Sequence, residues 1–590
     1  MANLTSGNAK SDIEEWWDAI DLAHIYKKKY GECDRWQTYR QYYRGIFPGY
    51  NSTSKTLPYN VTYGMARTLI PNIYFRNPYI NITPRWKMGQ ERMRLDIHAK
   101  VVEATDNWLM QEMSIKKEMK TALLDCYFTN RAIWKIGYDS QYGFIPSQTE
   151  DELGLPDTTL SQFTKKGELT EYNINVKPGM PWVLRVDPDD IFVPFGVRTL
   201  DECAWIDHRV IRPLQDVKND KKYKNTRDLE GTHLEQIYKD SKRADFYREM
   251  SKICDWVELH EIRNRKTKEV FVIVPGYSKY LREPDEDILQ IEGLPFVDCS
   301  FNEDVQYYWG PSDCTIIEPQ QLEMNEARTQ AMSHRRVAII KFLVDKNVIT
   351  QDEIDKMMSE NVAPCIRING SPTDKVMILQ PHIPQDLAQW GELIESDVRG
   401  LLGFSRQSQG ELPPGRRTLG EVNIATMAKE LRTDERRDMV ADALSDITRK
   451  VNQIIFDRWD AAHVVQVVGI DGARYWIEYT KDMIVGEYNT KVDVESMTPV
   501  TKALKRREIV ELIGALAKFP GANIGYLMKA LLREFDYLDA MAILPEAPET
   551  QNGQPMGMEQ FVGQQQQMAQ NPAMLGARVR QTQNAVGMGV

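Results

Sequence analysis

The most regular hydrophobic pattern in the chain lies between residues 418 and 460. There Val440, Leu444, Ile447, Val451 and Ile454 step by four, three, four and three. That spacing lays one apolar stripe along a single long helix. Near the start, Trp36, Tyr39 and Tyr43 recur at helical spacing within 11–44, opened by the capping box Ser11-x-x-Glu14 and closed by Gly45. Prolines at 58, 71, 78 and 84 then cut the chain into short pieces. Among these, 60–69 predicts a helix and 79–83 alternates as a strand. A helical stretch covers roughly 90–128, and 132–138 turns to strand character. Residues 140–180 are polar and rich in Gly, Pro and Thr, which predicts a surface insertion or flexible hairpin. Strands resume at 182–186 and 191–193, around the acidic turn Asp187-Pro188-Asp189-Asp190, and again at 256–262 and 270–274.

The middle changes character. Residues 318–344 read as helix, with Leu322, Ala327, Ala331, Val337 and Ile340 among its apolar positions. A compact segment follows, made of a short helix at 350–358 and strand-like pieces at 363–368 and 375–379. A further helix, 384–402, ends at Gly403. A loop holding Gly410, Pro413, Pro414 and Gly415 leads into the long helix. Beyond it, 464–470 and 475–479 flank Asp471-Gly472, the strongest short hairpin signal in the sequence. Residues 492–494 add a strand, and 501–518 with 524–543 form a helical hairpin broken at Pro520-Gly521. The last stretch, 551–590, is Gln-, Gly- and Met-rich with hardly any charge, and reads as a disordered tail. The whole predicts a multidomain α+β chain.

Composition refines this. The 590 residues are enough for several domains, and 74 Lys+Arg against 85 Asp+Glu give a net charge of −11. An acidic balance argues against a protein that grips nucleic acid. It does not exclude one past which nucleic acid slides. Seven cysteines without a CxxC pair rule out a zinc knuckle and suggest free thiols in a reducing compartment. No apolar run reaches half of the ~20 residues a membrane span needs. The acidic segment around Trp16 and Trp17 does not resemble a secretory signal. Synthesis in a cytoplasm, with no membrane partner, is expected.

Motif chemistry is sparse. The segment from Gly410 to Thr418 copies the spacing of a phosphate loop, but Arg416 stands at the lysine position and Arg417 at the hydroxyl position. Two prolines also remove backbone N–H donors, so a flexible loop is the better reading. Three Gly-x-Ser triplets, ending at Ser278, Ser312 and Ser405, lack the closing glycine of a nucleophile elbow. No two histidines lie closer than 25 residues, which leaves no metal pair. Asp187, Asp189 and Asp190 form either a cation-chelating group or a solvated turn. No catalytic residue, metal site or cofactor is expected from these patterns. Trp36, Tyr39, Tyr42, Tyr43, Tyr59 and Tyr63 suit either core packing or a stacking platform for single strands. Arg328, Arg335, Arg336 and Lys341 form a modest basic patch along 318–344. The charges of the long helix (Glu430, Arg432, Asp434, Glu435, Arg436, Arg437, Asp438) alternate in sign, which suits inter-subunit or i,i+4 pairing better than DNA binding.

In order, these pieces resemble the portal proteins of tailed bacteriophages over about 15–545. The carriers are Tyr42-Tyr43-Arg44-Gly45, Asn60, Asn77-Pro78-Tyr79-Ile80 and the helix-to-strand passage from Asp125 to Tyr138. They continue with Val186-Asp187-Pro188-Asp189-Asp190-Ile191, Leu294-Pro295-Phe296, Gly310-Pro311-Ser312, Gln320-Gln321 and Asn325. Gly469-Ile470-Asp471-Gly472, Gly486-Glu487-Tyr488 and the strand at 491–496 close the set. The Gln-rich tail and the 140–180 insertion depart from the family pattern.

The resemblance implies a portal-type fold: a wing over 1–310 and 461–500, stem helices at 311–344 and 382–402, a clip at 345–381, a tunnel loop at 403–417, the long helix at 418–460, crown helices at 501–545 and a tail at 546–590. It also implies a homo-oligomer, usually a dodecamer, assembled in the host cytoplasm and placed at one capsid vertex of the virion. Double-stranded DNA would pass through it. Its partners would be the terminase large subunit, the major capsid protein and scaffold, and later neck, adaptor or tail proteins. Arg406, Gln407, Gln409, Arg416 and Arg417 are the expected DNA-facing residues of the tunnel loop. Asp352, Glu353, Asp355 and Glu360 are the expected docking residues of the clip. Other readings are a different neck or head-completion protein, or a DNA-processing enzyme; the missing phosphate loop argues against a packaging ATPase.

Overall fold

In a computed structural model of the chain, the described residues are 12–31, 33–48, 58–84, 90–138, 180–220, 222–231, 255–287, 289, 291–337, 341–344, 351–352, 355, 376–379, 386–403, 419–459, 488–492 and 510–514. The chain divides into two compact units, Met1–Pro499 and Val500–Val590. In the second, the described residues 510–514 are helical.

Helix α5 (Ile115–Thr129) is the hub. Ile115, Met119, Ala122, Leu123, Cys126, Tyr127 and Phe128 are all buried, and a helix apolar over so much of its surface belongs inside a core. It follows α4 (Gln90–Glu112), and the two are separated at Ser114, whose φ is +53°. The single helix expected over 90–128 is therefore two. The same holds at the start, where 11–44 divides into α1 (Asp12–Tyr30) and α2 (Cys33–Tyr43). The break falls at Gly31, where a Cβ would lie 2.9 Å from that of Trp309, so only glycine allows this approach. Helix α3 (Val61–Ile73) begins as expected at Asn60, whose side chain accepts from the Tyr63 N–H at 2.8 Å. It runs on through Pro71 rather than stopping there.

Two antiparallel sheets follow, and the first packs directly against this hub. The first has the order β3-β2-β9, from β2 (Ala132–Tyr138), β3 (Pro181–Val186) and β9 (Phe296–Cys299). Gly137 faces Trp182 across the β2–β3 register, and a Cβ there would collide with the indole. The second sheet is a meander of β4 (Ile191–Phe192), β5 (Trp205–Pro213), β6 (Trp256–Asn264), β7 (Glu269–Ile273) and β8 (Arg282–Glu286). On one face α1 packs Ile13 and Ile20 against Ile262, Phe271 and Ile273. Another small core joins Val257, Leu259 and Val272 to Leu214 and Val217 of the short helix α6 (Leu214–Asn219). Buried Lys135 of β2 reaches Glu261 of β6 at 3.0 Å and His208 of β5 at 3.2 Å, tying the two sheets together.

Helix α7 (Asp313–Val337) is followed by β10 (Lys341–Val344), so the helix expected over 318–344 ends early and its last residues enter a strand. Strand β11 (Val376–Leu379) pairs antiparallel with β10, and α8 (Asp386–Leu402) returns to pack on α7 before Gly403, at φ +77°. Helix α9 (Leu419–Arg458) is the longest, and its five stripe residues are all buried. Strand β12 (Tyr488–Val492) pairs with β1 (Ile80–Pro84), Val492 opposite Ile80, and thereby joins segments far apart in the chain. The strand-like piece at 363–368, the hairpin at 464–479 and the helix at 524–543 lie outside the described residues. Among the described residues no helix is long and apolar enough to cross a membrane.

Candidate functional site

The candidate site is the helix pair α7 and α8 with the β10–β11 pairing between them; Ile317, Met324, Ile394, Val398 and Leu402 join the pair to the main core. Helix α7 is anchored at its base. Ser312 caps it, accepting from Thr315 N at 3.1 Å. Asp313 is almost fully buried and is held by both Nη atoms of Arg436 from α9, at 3.0 and 2.9 Å, and by Asn302 at 3.0 Å. Such a two-pronged pair fixes orientation as well as distance. Phe301 lies against the same guanidinium, 5.1 Å from its ring centre.

About two turns further, the inner face of α7 is polar. Gln321 accepts from Thr62 N at 3.0 Å and donates to Tyr59 O at 2.6 Å, while Asn325 accepts from Tyr59 N at 2.8 Å. Both side chains are fully buried, and they satisfy backbone groups at the entry to α3 that would otherwise be orphaned. Leu322, one of the apolar positions of this helix, is 41% exposed. Ile317 and Met324 supply the apolar part of that face. Helix α8 buries Ile394, Val398 and Leu402, but Trp390, Leu393 and Leu401 stay 47–50% exposed. Trp390 Nε1 donates to Glu323 of α7 at 2.8 Å, so the indole's position is set while its ring remains uncovered.

The acidic turn has a different role from either expected one. Residues 188–190 form a short 3₁₀ turn between β3 and β4, capped by Asp187. Arg40 of α2 reaches Asp189 at 2.6 Å and Asp187 at 2.8 Å, and Gln37 adds a bond to Asp189 at 2.8 Å. Arg185 holds Asp125 of α5 and also Asp187 at 3.2 Å; Arg209 holds Asp190 at 2.8 Å. Lys27 of α1 donates to the carbonyls of Pro188, Asp189 and Ile191 at 2.5–2.9 Å. Burial opposes the charge of Arg40, yet Asp187, Asp189 and Asp125 outweigh it and raise its pKa. Burial pushes Asp125 up to about 6 against the pull of Arg185, and pushes Lys27 down to about 8 against Asp189. The aspartates are thus neither solvated nor set out for a cation. They join α1, α2, α5, β3 and β5 through side-chain cations, and among the described residues no His, Cys, Asp and Glu group is arranged to hold a metal.

The aromatic residues also resolve. Trp36, Tyr39 and Tyr42 are buried in the core, and Tyr59 carries Arg328 over its ring at 4.0 Å, so these rings do not form an open stacking platform. Tyr63 is the exposed member, at 46%. Of the basic patch, Arg328 and Arg335 are exposed on α7, whereas Lys341 sits on β10. Of the expected docking residues, Asp352 and Asp355 are exposed in a helical turn, with Gln351 donating to Asp355 at 3.2 Å. Glu353, Glu360 and all five tunnel-loop residues (Arg406, Gln407, Gln409, Arg416, Arg417) lie outside the described residues. The anchors Asp313–Arg436 and Gln321 with Asn325 escaped sequence reasoning as a connected set. The alternating charges of the long helix pointed to inter-subunit or i,i+4 pairing, whereas Arg436 pairs with Asp313, 123 residues away in the same chain.

Compared with protein families, residues 161–588 match that of the phage P22-like portal proteins. The match covers well over half the chain and takes in the Gln-rich tail. No curated protein matches.

Proposed function

The chain belongs to the phage P22-like portal protein family, and from that premise we propose that it is the repeating subunit of a ring, usually of twelve, through which the genome enters and leaves one vertex of the capsid. Members of this family are structural head-to-tail connectors, not enzymes. The observation that carries the finer reading is the return of the chain through α7, the β10–β11 pair and α8. A small module held between two antiparallel helices is what the narrow end of a ring needs for docking. The terminase large subunit would use it during packaging, and neck, adaptor or tail proteins would use it afterwards. Asp352, Glu353, Asp355 and Glu360 are the docking residues in this proposal, and the clip begins at β10.

The charge of the chain supports a conducting role. Lys and Arg that neutralise phosphates release counterions and tighten binding to DNA whatever its sequence. A net charge of −11 on each subunit argues against a passage that traps DNA. On the described part of α7 and α8, exposed Glu323, Glu326, Glu392 and Asp397 outnumber exposed Arg328 and Arg335. Arg406, Arg416 and Arg417, with Gln407 and Gln409, then touch the DNA backbone from a short loop without holding it.

The test is a packaging assay with Arg406, Arg416 and Arg417 all changed to Glu. Rings should assemble normally, while the amount of DNA packaged or retained falls severalfold. Normal packaging and retention would remove the loop from the channel.

A further inference from the structure

Helix α1 crosses the five-stranded sheet and leaves beside it an open groove of about 470 Å³. Its walls are aromatic. Trp16 of α1 stands edge-on to Trp205 of β5, with ring centres 5.7 Å apart, and tilts over Phe271 of β7 at 5.0 Å. Phe271 in turn meets Tyr280 edge-on at 5.7 Å. The rim is acidic. Asp12 and Glu15 project from the same face of α1 as Trp16, one turn apart, and Glu269 lies on the sheet side. Among the described residues lining the groove there is no lysine or arginine. Burial raises the pKa of Tyr280, and Asp12 and Glu269 raise it further, so both carboxylates act on the same ring.

Aromatic faces carry the negative pole of the ring quadrupole, and a cation laid against them beside carboxylates is stabilised twice, by ring and by charge. Arginine fits best, because its planar guanidinium both stacks on an indole and forks to a carboxylate. Among the described residues the groove is open to solvent and admits a side chain on a passing backbone. We propose that this groove docks a basic segment of another protein, with an arginine side chain laid along Trp16 and Tyr280 and its guanidinium against Asp12, Glu15 and Glu269. Nucleic acid is excluded by the same charges. The inference does not depend on the ring or its channel.

Isothermal titration of the full chain with a short arginine–serine repeat peptide tests it, with a glutamate–serine peptide of equal length as control. The arginine peptide should bind saturably and the glutamate peptide not at all. Neutralising the rim in the variant Asp12→Asn, Glu15→Gln, Glu269→Gln should weaken binding at least about tenfold. Removing equal charge from α9, as Glu435→Gln, Asp438→Asn, Asp442→Asn, should leave it unchanged. Trp16→Leu keeps an apolar side chain on the sheet and should also weaken binding several-fold. Absence of saturable heat, equal loss in the two charge variants, or full binding by Trp16→Leu would overturn the proposal. Binding of N-acetylarginine amide as tight as that of the peptide would overturn it too, since the groove would then take a free small cation.

Discussion

Asp106 of α4 is fully buried, accepts one hydrogen bond from Asn452 of α9 at 3.0 Å, and has no partner for its Oδ1 among the described residues. Burial pushes its carboxyl up to about 8, with Glu103 adding to the effect and Asn452 opposing it. The folded state therefore keeps a proton that the unfolded chain releases near the ordinary aspartate value of about 4. Because the folded state binds more protons across this interval, stability falls as pH rises from about 4 to about 8. Asp106→Asn preserves the bond to Asn452 and removes the titration. It should raise stability at pH 8 by roughly 1–3 kcal/mol and change it little at pH 4. Thermal unfolding followed by circular dichroism at both pH values checks this; an equal shift at both would contradict the assignment. The Asp313–Arg436 pair makes the opposite case. Arg436→Ala leaves a nearly inaccessible carboxylate with Asn302 as its remaining bond, and should cost on the order of 3 kcal/mol in chemical denaturation. A loss under 1 kcal/mol would show that the pair does not fasten α7 to α9. Neither residue was legible from the sequence, because burial and the partner both come from segments far away in the chain.

The elements themselves were largely legible. Period-four-and-three spacing located α9, Asn60 located the start of α3, and Gly403 located the end of α8, each through a local rule that needs no tertiary information. What failed was the continuity of helices. Gly31 and Ser114 interrupt two helices because of what their backbones meet or adopt, and the hydrophobic pattern runs across both breaks. The pairing of β1 with β12 was equally hidden, since an alternating strand names a face but not a partner. The site was less legible than the fold: the helix pair was expected, but its polar inner face, with Gln321 and Asn325, was not. Helix α8 carries the element-scale prediction. Its apolar arc is wider than α7 covers, since Trp390, Leu393 and Leu401 stand exposed beside the buried row Ile394, Val398 and Leu402. In the proposed ring a neighbouring copy covers that stripe. Leu393→Asp should leave the helical signal of the isolated chain intact while abolishing ring formation in size-exclusion chromatography with light scattering. Rings of normal size and yield would place the subunit contact elsewhere.

At the scale of the whole molecule, an acidic chain with a family match over residues 161–588 presents a single coherent physical picture. The charge that argues against gripping DNA suits a subunit whose assembly conducts it. The cations of the described core are spent inside it: Lys27, Arg40, Arg185 and Arg209 fasten the acidic turn, Lys135 joins the sheets, and Arg436 anchors α7. That leaves the exposed part of the helix pair with an acidic majority. The central claim is that copies of this chain close into a ring with a hole wide enough for duplex DNA. Electron microscopy of the purified full chain, assembled with its scaffold where it does not assemble alone, tests it most directly. The account predicts rings, twelvefold in the usual case, with an open central channel that admits duplex DNA. Closed particles without a channel, or monomers even with scaffold and capsid protein present, would contradict it.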